Sequence, residues 1–385
     1  MTNKQTIWEY KQLSSLGSFS KGVGISKADI VPQGAPCIRY AEIYTKYNFQ
    51  LSQCLSHIPT EIAQKSTPIA YGNILFAGSG ETAEDIGKSV AYLGKDTAYA
   101  SGDIIIFTLK DKKENALFFS YYLNTAGRQQ LNKLGEGQSV VHIYPEELSK
   151  VFVPHPLVEE QHRIVEVLET WDKAIQLTRK LIEQKELQKK YLMQQLLTGR
   201  TRLKGFSNKW GNYKLQELAK IHKGKQLNST ELTATGEYPC LNGGITPSGY
   251  THNWNSEKNT ISISEGGNSC GYVNWNPKRF WAGGHCYTLS ELKADPEFLY
   301  FLLKYKEKYI MSLRVGSGLP NIQRNSLENL ILYVPNNREE QSRIGRLLVG
   351  VDLGGELLQK RLAQLEEQKK GLMQILLTGK VRLNW

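Results

Sequence analysis

No run of apolar residues in this chain is long enough to cross a bilayer, which excludes a helical membrane-spanning protein. The first twelve residues are polar and mixed in charge, so no secretory core is expected there, and the expected location is the cytoplasm. Cysteine is scarce. Cys37, Cys54, Cys240, Cys270 and Cys286 form no CxxC pair and no regular framework, so free buried thiols in a reducing compartment are expected. The seven histidines are scattered, and no Ser/His/Asp or Cys/His set can be assembled from spacing. His285-Cys286 lacks a second ligand pair at zinc spacing, so no metal site is expected.

Nucleotide chemistry is missing as well. Gly87-Lys88-Ser89 ends like a phosphate-binding loop, but Thr82 stands where that motif requires glycine. Gly22-x-Gly24 has no dinucleotide fingerprint after it and reads as a turn. An adenine amino-methyltransferase typically carries an Asn-Pro-Pro-aromatic loop, and Asn276-Pro277-Lys278 is not one. No catalytic residue is nominated, and the chain is expected to perform no catalysis alone.

What the chain has is a segment written twice. Glu159–Leu203 and Glu339–Leu383 align without a gap at an offset of 180, and about half of their positions are identical. The domain entries repeat too. Trp8, Leu13, Leu16, Lys21 and Gly22 match Trp210, Leu215, Leu218, Lys223 and Gly224 at an offset of 202, so the first domain is longer by 22 residues. Pro36-Cys37 finds Pro239-Cys240, Gly135-x-Gly137 finds Gly316-x-Gly318, and Val153-Pro154 finds Val334-Pro335. Ends match while middles diverge, as expected when two copies must recognise different things.

The net charge is +11, which favours a polyanionic partner. The excess is spread out: 15 basic against 14 acidic residues over 1–153, 10 against 7 over 154–204, 14 against 10 over 205–334 and 9 against 6 over 335–385. Charge alone therefore makes a weak case for DNA.

The copied segment reads as a long helix. Glu159-Glu160 and Glu339-Glu340 suit the positive end of a helix. Apolar residues then step by fours and threes through Ile164, Leu168, Trp171 and Ile175, resuming at Leu192 and Leu196. The second copy runs Ile344, Leu348, Val351, Gly355, Leu358, Leu362, Leu365, Lys369, Leu372 and Leu376. This is a heptad seam over about five heptads, closed by Thr198-Gly199 and Thr378-Gly379. Lys189 and Lys369 hold equivalent seam positions; they either fix register or snorkel from a loosened end. Gly355 suits a close approach or a bend.

Between the helices, Asn259–Ser264 alternates like a half-buried strand, while Asp103–Phe107 and Leu330–Val334 look like buried strands. Phe118–Leu134 and Phe298–Leu313 read as matched helices. The expected architecture is α+β: mixed α/β domains over 1–153 and 205–334, and long heptad-seamed helices over 154–204 and 335–385 that pair with each other, the whole written as an internal repeat.

That order resembles the specificity subunit of type I restriction–modification systems. The resemblance rests on the twin starts Glu159-Glu160-Gln161-x-Arg163-Ile164 and Glu339-Glu340-Gln341-x-Arg343-Ile344. It rests equally on the twin ends Leu192–Gly199 and Leu372–Gly379 and on the Trp8 and Trp210 entries, and it covers essentially the whole chain. It implies that each globular domain reads one half of a bipartite target in double-stranded DNA. The globular domains would be target-recognition domains, and the two helices would form an antiparallel coiled coil, in pseudo-twofold arrangement, that sets the gap and docks two methyltransferase (modification) subunits, to which translocase–nuclease (restriction) subunits add. S-adenosylmethionine, ATP and magnesium would belong to those partners.

For phosphate contacts the candidates are Lys21, Lys223 and Lys225; for the groove, Ser79, Glu81, Thr82, Asn268 and Ser269. Arg39, Asn242 and Arg279 join them because arginine pairs with guanine edges and asparagine with adenine edges. Ser139 in the loop 135–139, and Ser317 and Asn321 in the loop 316–321, complete the set. Two other readings stay open: a coiled-coil adaptor that organises proteins, and a DNA-binding regulator acting alone.

Overall fold

The computed structural model describes residues 8–137, 140–316, 318 and 320–383. Contacts divide the chain into two compact units, 1–177 with 362–385 and 178–361. Each long helix is therefore shared: the central helix Val158–Leu197 gives its first half to unit 1, and the terminal helix Arg338–Leu376 its last part.

Unit 1 is built on a five-stranded sheet of β1 (Gly17–Lys21), β2 (Gln50–Leu51), β3 (Asn73–Ala77), β4 (Ser89–Tyr92) and β5 (Ile104–Leu109), in the order β1-β5-β3-β4-β2. Neighbours are antiparallel except β2, which runs parallel to β4. The apolar run of β5 is explained by two cores. Ile105 and Phe107 join Ile74, Phe76 and Ala91 beneath helix α1 (Ala116–Leu123), while Ile104 and Ile106 join Leu75, Val90, Ile38 and Ile43 on the other face. Strands covered on both faces need no polar alternation.

Unit 2 repeats this plan with four antiparallel strands, β6 (Lys220–Lys223), β7 (Thr260–Ser264), β8 (Val273–Asn276) and β9 (Cys286–Ser290), in the order β6-β9-β7-β8. Helix α2 (Pro296–Tyr305) packs where α1 does, opened by Pro296 and by Asp295, which accepts from the Phe298 N–H at 3.0 Å. The expected single helices 118–134 and 298–313 are each two pieces, α1 followed by Arg128–Asn132 and α2 followed by Glu307–Ser312. The strand Ile331–Pro335 is likewise not buried throughout: it sits in a two-stranded antiparallel sheet with Trp210–Lys214, and Ile331 and Tyr333 face solvent.

Strand pairing corrects one detail of the repeat. Glu9 faces His155 and its counterpart Gly211 faces Val334, an offset of 179. The Val153-Pro154 and Val334-Pro335 identity is thus out of register by two.

In each unit the start of one long helix meets the end of the other, so the pairing is antiparallel. In unit 1, Ile164 and Leu168 share a core with Met373, Leu376 and Leu377; in unit 2, Met193, Leu196 and Leu197 share one with Ile344 and Leu348. The seam holds. Ile164, Leu168, Ile175, Leu196, Ile344, Leu348 and Leu376 are buried, and Trp171, Leu192, Leu358, Leu362 and Leu372 half-buried. Beside it, Val165, Met193 and Met373 widen the buried face. Gly355 makes no close approach: a Cβ there would meet nothing within 4 Å, and the helix runs on unbroken.

The ends are locked by charge. Arg382 makes a bidentate bond to Glu160 (2.6 Å for both contacts), and Trp8 Nε1 donates to the same carboxylate at 3.2 Å. In unit 2, Arg202 grips Glu340 at 2.6 and 2.8 Å. Each guanidinium also lies over the entry tryptophan, Arg382 on Trp8 at 5.3 Å and Arg202 on Trp210 at 5.5 Å. The helices stop at Gly199 (φ 69°) and Gly379 (φ 70°), and Thr198 and Thr378 donate back to Gln194 and Gln374 at 2.6 Å.

The seam lysines fix register. Lys369 reaches Asp172 at 2.5 Å and Lys189 reaches Asp352 at 2.5 Å. Their burial differs: Lys369's side chain is 5% exposed and Lys189's 31%. Lys369 also lies 4.4 Å from the Phe49 ring, and Tyr121 donates its hydroxyl to Asp172 at 2.5 Å. All five cysteines are free thiols, four of them buried; burial pushes Cys37 and Cys286 up to about 12.

Lys369→Met leaves the half-buried Asp172 carboxylate without its cation and is expected to cost about 3 kcal/mol, whereas Lys189→Met is expected to cost about 1 kcal/mol or less; urea denaturation of the full chain measures both. Burial, and then the Asp172 charge, push the Tyr121 phenol well above its ordinary value of 10.0. Its contribution is therefore whole below about pH 10 and lost as pH rises beyond it. The alkaline fall in urea midpoint should be shallower in Tyr121→Phe than in the parent chain.

Candidate nucleic-acid interface

At one end of each sheet two loops are tied together by backbone bonds. In unit 1, loop 78–86 leaves β3 and returns at Gly87, whose N–H donates to the Ala77 carbonyl at 3.2 Å. A second loop, 137–141, is closed by a reciprocal pair, Glu136 N–H to His142 O (2.9 Å) and His142 N–H to Glu136 O (2.8 Å). Val141–His142 pair with Ser79–Gly80, and Ile143 N–H donates to Gly78 O at 3.1 Å.

Unit 2 repeats every tie. Gly271 N–H donates to Ser264 O at 2.8 Å, and Val315 and Asn321 exchange bonds at 2.8 and 3.0 Å. Ile322 N–H donates to Glu265 O at 2.8 Å, and Gly267 N–H to Pro320 O at 3.0 Å. Gly137 (φ 124°) and Gly316 (φ 96°) open the equivalent second loops in a backbone region that favours glycine. Structurally, then, Gly316 corresponds to Gly137 and not to Gly135.

The side chains on this shared frame differ. In unit 1 a cleft of about 470 Å³ is lined by Tyr40, Tyr44, Ser79, Gly80, Glu81 and Asp85. Ser79 is buried, with its Oγ 3.1 Å from His142 Nδ1, and its carbonyl accepts from the Tyr44 hydroxyl at 3.0 Å. Glu81 and Thr82 are exposed, and the Thr82 hydroxyl donates to Asp85 at 3.0 Å to hold a turn. Two cations brace the frame from below. Lys88 donates to the carbonyls of Tyr44 (3.2 Å) and Tyr47 (2.8 Å), and Arg128 makes two bonds to Glu84 O (3.0 and 2.6 Å). Burial lowers the pKa of both. Arg39 stands at the start of the helix Tyr40–Thr45, 3.8 Å from Glu42. Lys21 ends β1, exposed and opposite Ile105, away from the cleft-lining set.

In unit 2 the centre is Glu265, buried at the end of β7. Its carboxylate accepts from Lys223 (2.7 Å) and the Tyr287 hydroxyl (2.9 Å), with His285 Nδ1 at 3.6 Å. Asn242 Oδ1 accepts the His285 N–H at 3.0 Å, and Asn321 Oδ1 accepts from Gln323 at 2.9 Å. Asn268 is exposed and Ser269 half-buried on the same loop. The fold thus gathers Lys223, Asn242, Asn268, Ser269 and Asn321. Lys225 lies alongside, its carbonyl accepting from Trp281 Nε1 at 2.8 Å. Arg279 is elsewhere, paired with Glu257 at 3.1 Å and stacked 4.2 Å from the Trp254 ring. Ser139 and Ser317 lie outside the described residues.

Sequence reasoning missed Tyr44, Lys88, Arg128 and His142 in unit 1 and Glu265, His285 and Tyr287 in unit 2. His142 could have been found, since it closes a loop that opens on glycine just as the nominated Asn321 does. No group of three or more metal-ligating side chains occurs among the described residues. The frame presents mixed donors and acceptors on loops carried by a rigid sheet, which is the make-up of a recognition surface.

A duplicated α+β chain, in which twin long helices alternate with two loop-bearing domains, is the class that these observations define. The family model for the type I restriction modification DNA specificity domain matches residues 6–187 and 207–367, and the chain belongs to that family. A putative type I specificity subunit of Mycoplasma pneumoniae is 36% identical over 160 residues, 41% of this chain and 42% of that protein. The chain thus aligns with about two fifths of the length of that relative. The MjaVIII specificity subunit of Methanocaldococcus jannaschii is 26% identical over 358 residues, covering 84% of this chain and 82% of that one. The crystal structure of a type I S subunit from M. genitalium superposes with a TM-score of 0.69 at 20% identity, covering 98% of both chains, a likeness of fold.

A Cβ at Gly137 would collide with the Val140 carbonyl oxygen. Gly137→Ala should therefore open the Glu136–His142 closure and speed amide exchange at both residues, leaving the core amides of β3 and β5 protected.

Proposed function

We propose that the chain is the non-catalytic, DNA-reading subunit of a type I restriction–modification complex, each unit recognising one half of a bipartite sequence in double-stranded DNA. The observation that carries this reading is the same two-loop frame in both units bearing unrelated side chains. A shared frame suits a shared ligand, and differing side chains suit differing sequences. Ser79, Glu81, Thr82 and Arg39 are the proposed readers in unit 1, with Asn242, Asn268, Ser269 and Asn321 in unit 2. Lys21, Lys223 and Lys225 contribute phosphate contacts.

The twin helices set the gap and dock two methyltransferase subunits. Support comes from Leu177 and Leu357, equivalent in the repeat and exposed at 61% and 65%, apolar residues that two like partners could cover. At 1.5 Å per residue the 40-residue central helix spans about 60 Å, ample for separating two half-sites along a duplex. Restriction subunits join the same complex, and S-adenosylmethionine, ATP and magnesium act on the partners. Among the described residues no helix is long and apolar enough to cross a membrane.

Coexpression with the modification subunit, followed by mapping of methylated adenines, tests the proposal. A split motif with a fixed gap is expected. Asn321→Ala should relax one half only, by about 1–3 kcal/mol at the affected base pair, and seven residues inserted after Gln184 should change the gap and neither half. A continuous motif, or no new methylation, would favour the adaptor or the stand-alone regulator, as would an unchanged gap.

A further inference from the structure

The repeat supplies its own template for a second binding site. In unit 1, β2 lies on the outer side of β4, where Phe49 O accepts the Ala91 N–H at 2.9 Å and the Ser120 hydroxyl at 2.6 Å. The Phe49 ring sits 4.7 Å from the Tyr121 ring and beside Lys369. Unit 2 has no counterpart to β2 among the described residues: β8 is the edge of its sheet. Strand register makes Trp275 the equivalent of Ala91, and the helix offset makes Tyr300 the equivalent of Ser120.

The place that β2 fills in unit 1 is open in unit 2. It is a cleft of about 430 Å³ lined by Asn274, Trp275, Glu297, Tyr300, Asp352 and Glu356. Trp275 and Tyr300, with ring centroids 5.7 and 5.0 Å along the row Trp275–Tyr300–Phe301, take up part of the room; Lys189 already lies 5.7 Å over Phe301, so Trp275 and Tyr300 make the open part of the aromatic wall. The opposite rim is acidic. Asp352 is engaged by Lys189, but Glu297 and Glu356 form no ion pair among the described residues. Burial, and then the neighbouring Asp295, raise the Glu297 carboxyl against a smaller lowering by Arg346. Pro277, at the position equivalent to Leu93, has no N–H and limits any added strand to a short rung, much as β2 itself is only two residues long.

We propose that this cleft docks an extended segment of a partner protein, which lays one backbone rung on Trp275 and inserts an arginine between the aromatic wall and Glu297 and Glu356. A planar cation satisfies both walls at once, stacking on the rings and bonding to the carboxylates. Glu307 and Lys304 already bond the main chain of Val273, so an extended backbone meets the strand edge at Trp275, as β2 meets Ala91 in unit 1. The acidic rim disfavours DNA, and the proposal is independent of how the loops read sequence.

The probe is a peptide copied from residues 46–53 with the substitution Phe49→Arg, titrated into the full chain labelled at its tryptophan indoles, Trp275 being assigned with Trp275→Phe. The Trp275 signal should shift on binding, and Glu297→Gln combined with Glu356→Gln should weaken binding by roughly tenfold or more. The double variant changes partly exposed surface residues, and an unchanged thermal midpoint checks that it folds. No shift at Trp275 at millimolar peptide would overturn the proposal. So would equal affinity for the double variant, or tighter binding of the unsubstituted peptide.

Discussion

A carboxylate buried at the first turn of a long helix must find a cation, and in each unit the tail of the other helix brings one. Glu160 and Glu340 are almost wholly shielded from water, and Arg382 and Arg202 meet them with two bonds each. Leaving either carboxylate unpaired would cost several kcal/mol, roughly the price of a large core truncation. This one requirement orients the rest. It holds the helix end against the entry tryptophan, seats the two-stranded sheet at the domain entry, and sets the antiparallel sense in which Lys369 finds Asp172 and Lys189 finds Asp352.

The twin motifs gain a physical meaning from this. Gln161 and Gln341, next to the buried glutamates, accept the backbone N–H of Asn115 and Asp295, the capping residues of α1 and α2. In each copy two neighbouring side chains, the glutamate and the glutamine, thus tie helix, domain and opposite helix together. The copies are not equal in detail. Trp8 donates to Glu160, whereas the Trp210 indole N–H is buried without a partner, and Tyr121 supports Asp172 where unit 2 has Phe301. The first unit holds its seam with a drier and more extensively bonded pair.

How much could be read from sequence follows from where each signal resides. The helices and their seam were legible because a repeat of threes and fours is local, and the Thr-Gly ends because left-handed caps select glycine. The α+β class and the loop positions were legible for the same reason. The out-of-register Val-Pro match was not, because a two-residue slip leaves identities intact and only strand pairing exposes it. Nor was Glu265 visible as a centre, since its partners Lys223, His285 and Tyr287 are gathered by tertiary folding. Arg279's surroundings were hidden for the converse reason: arginine fits a guanine edge on paper, and only the fold shows this one stacked on Trp254 outside the loop frame.

The loop frames have an evolutionary consequence. Both closures, Glu136 with His142 and Val315 with Asn321, consist of main-chain bonds, and so do the ties to Gly78 and Glu265. Main-chain bonds are indifferent to side-chain identity once the opening glycine is kept. Mutational drift within the loops is therefore nearly neutral for folding, so new variants can be sampled without first acquiring compensating stability. The scaffold confers evolvability on its tips while its base stays under tight constraint.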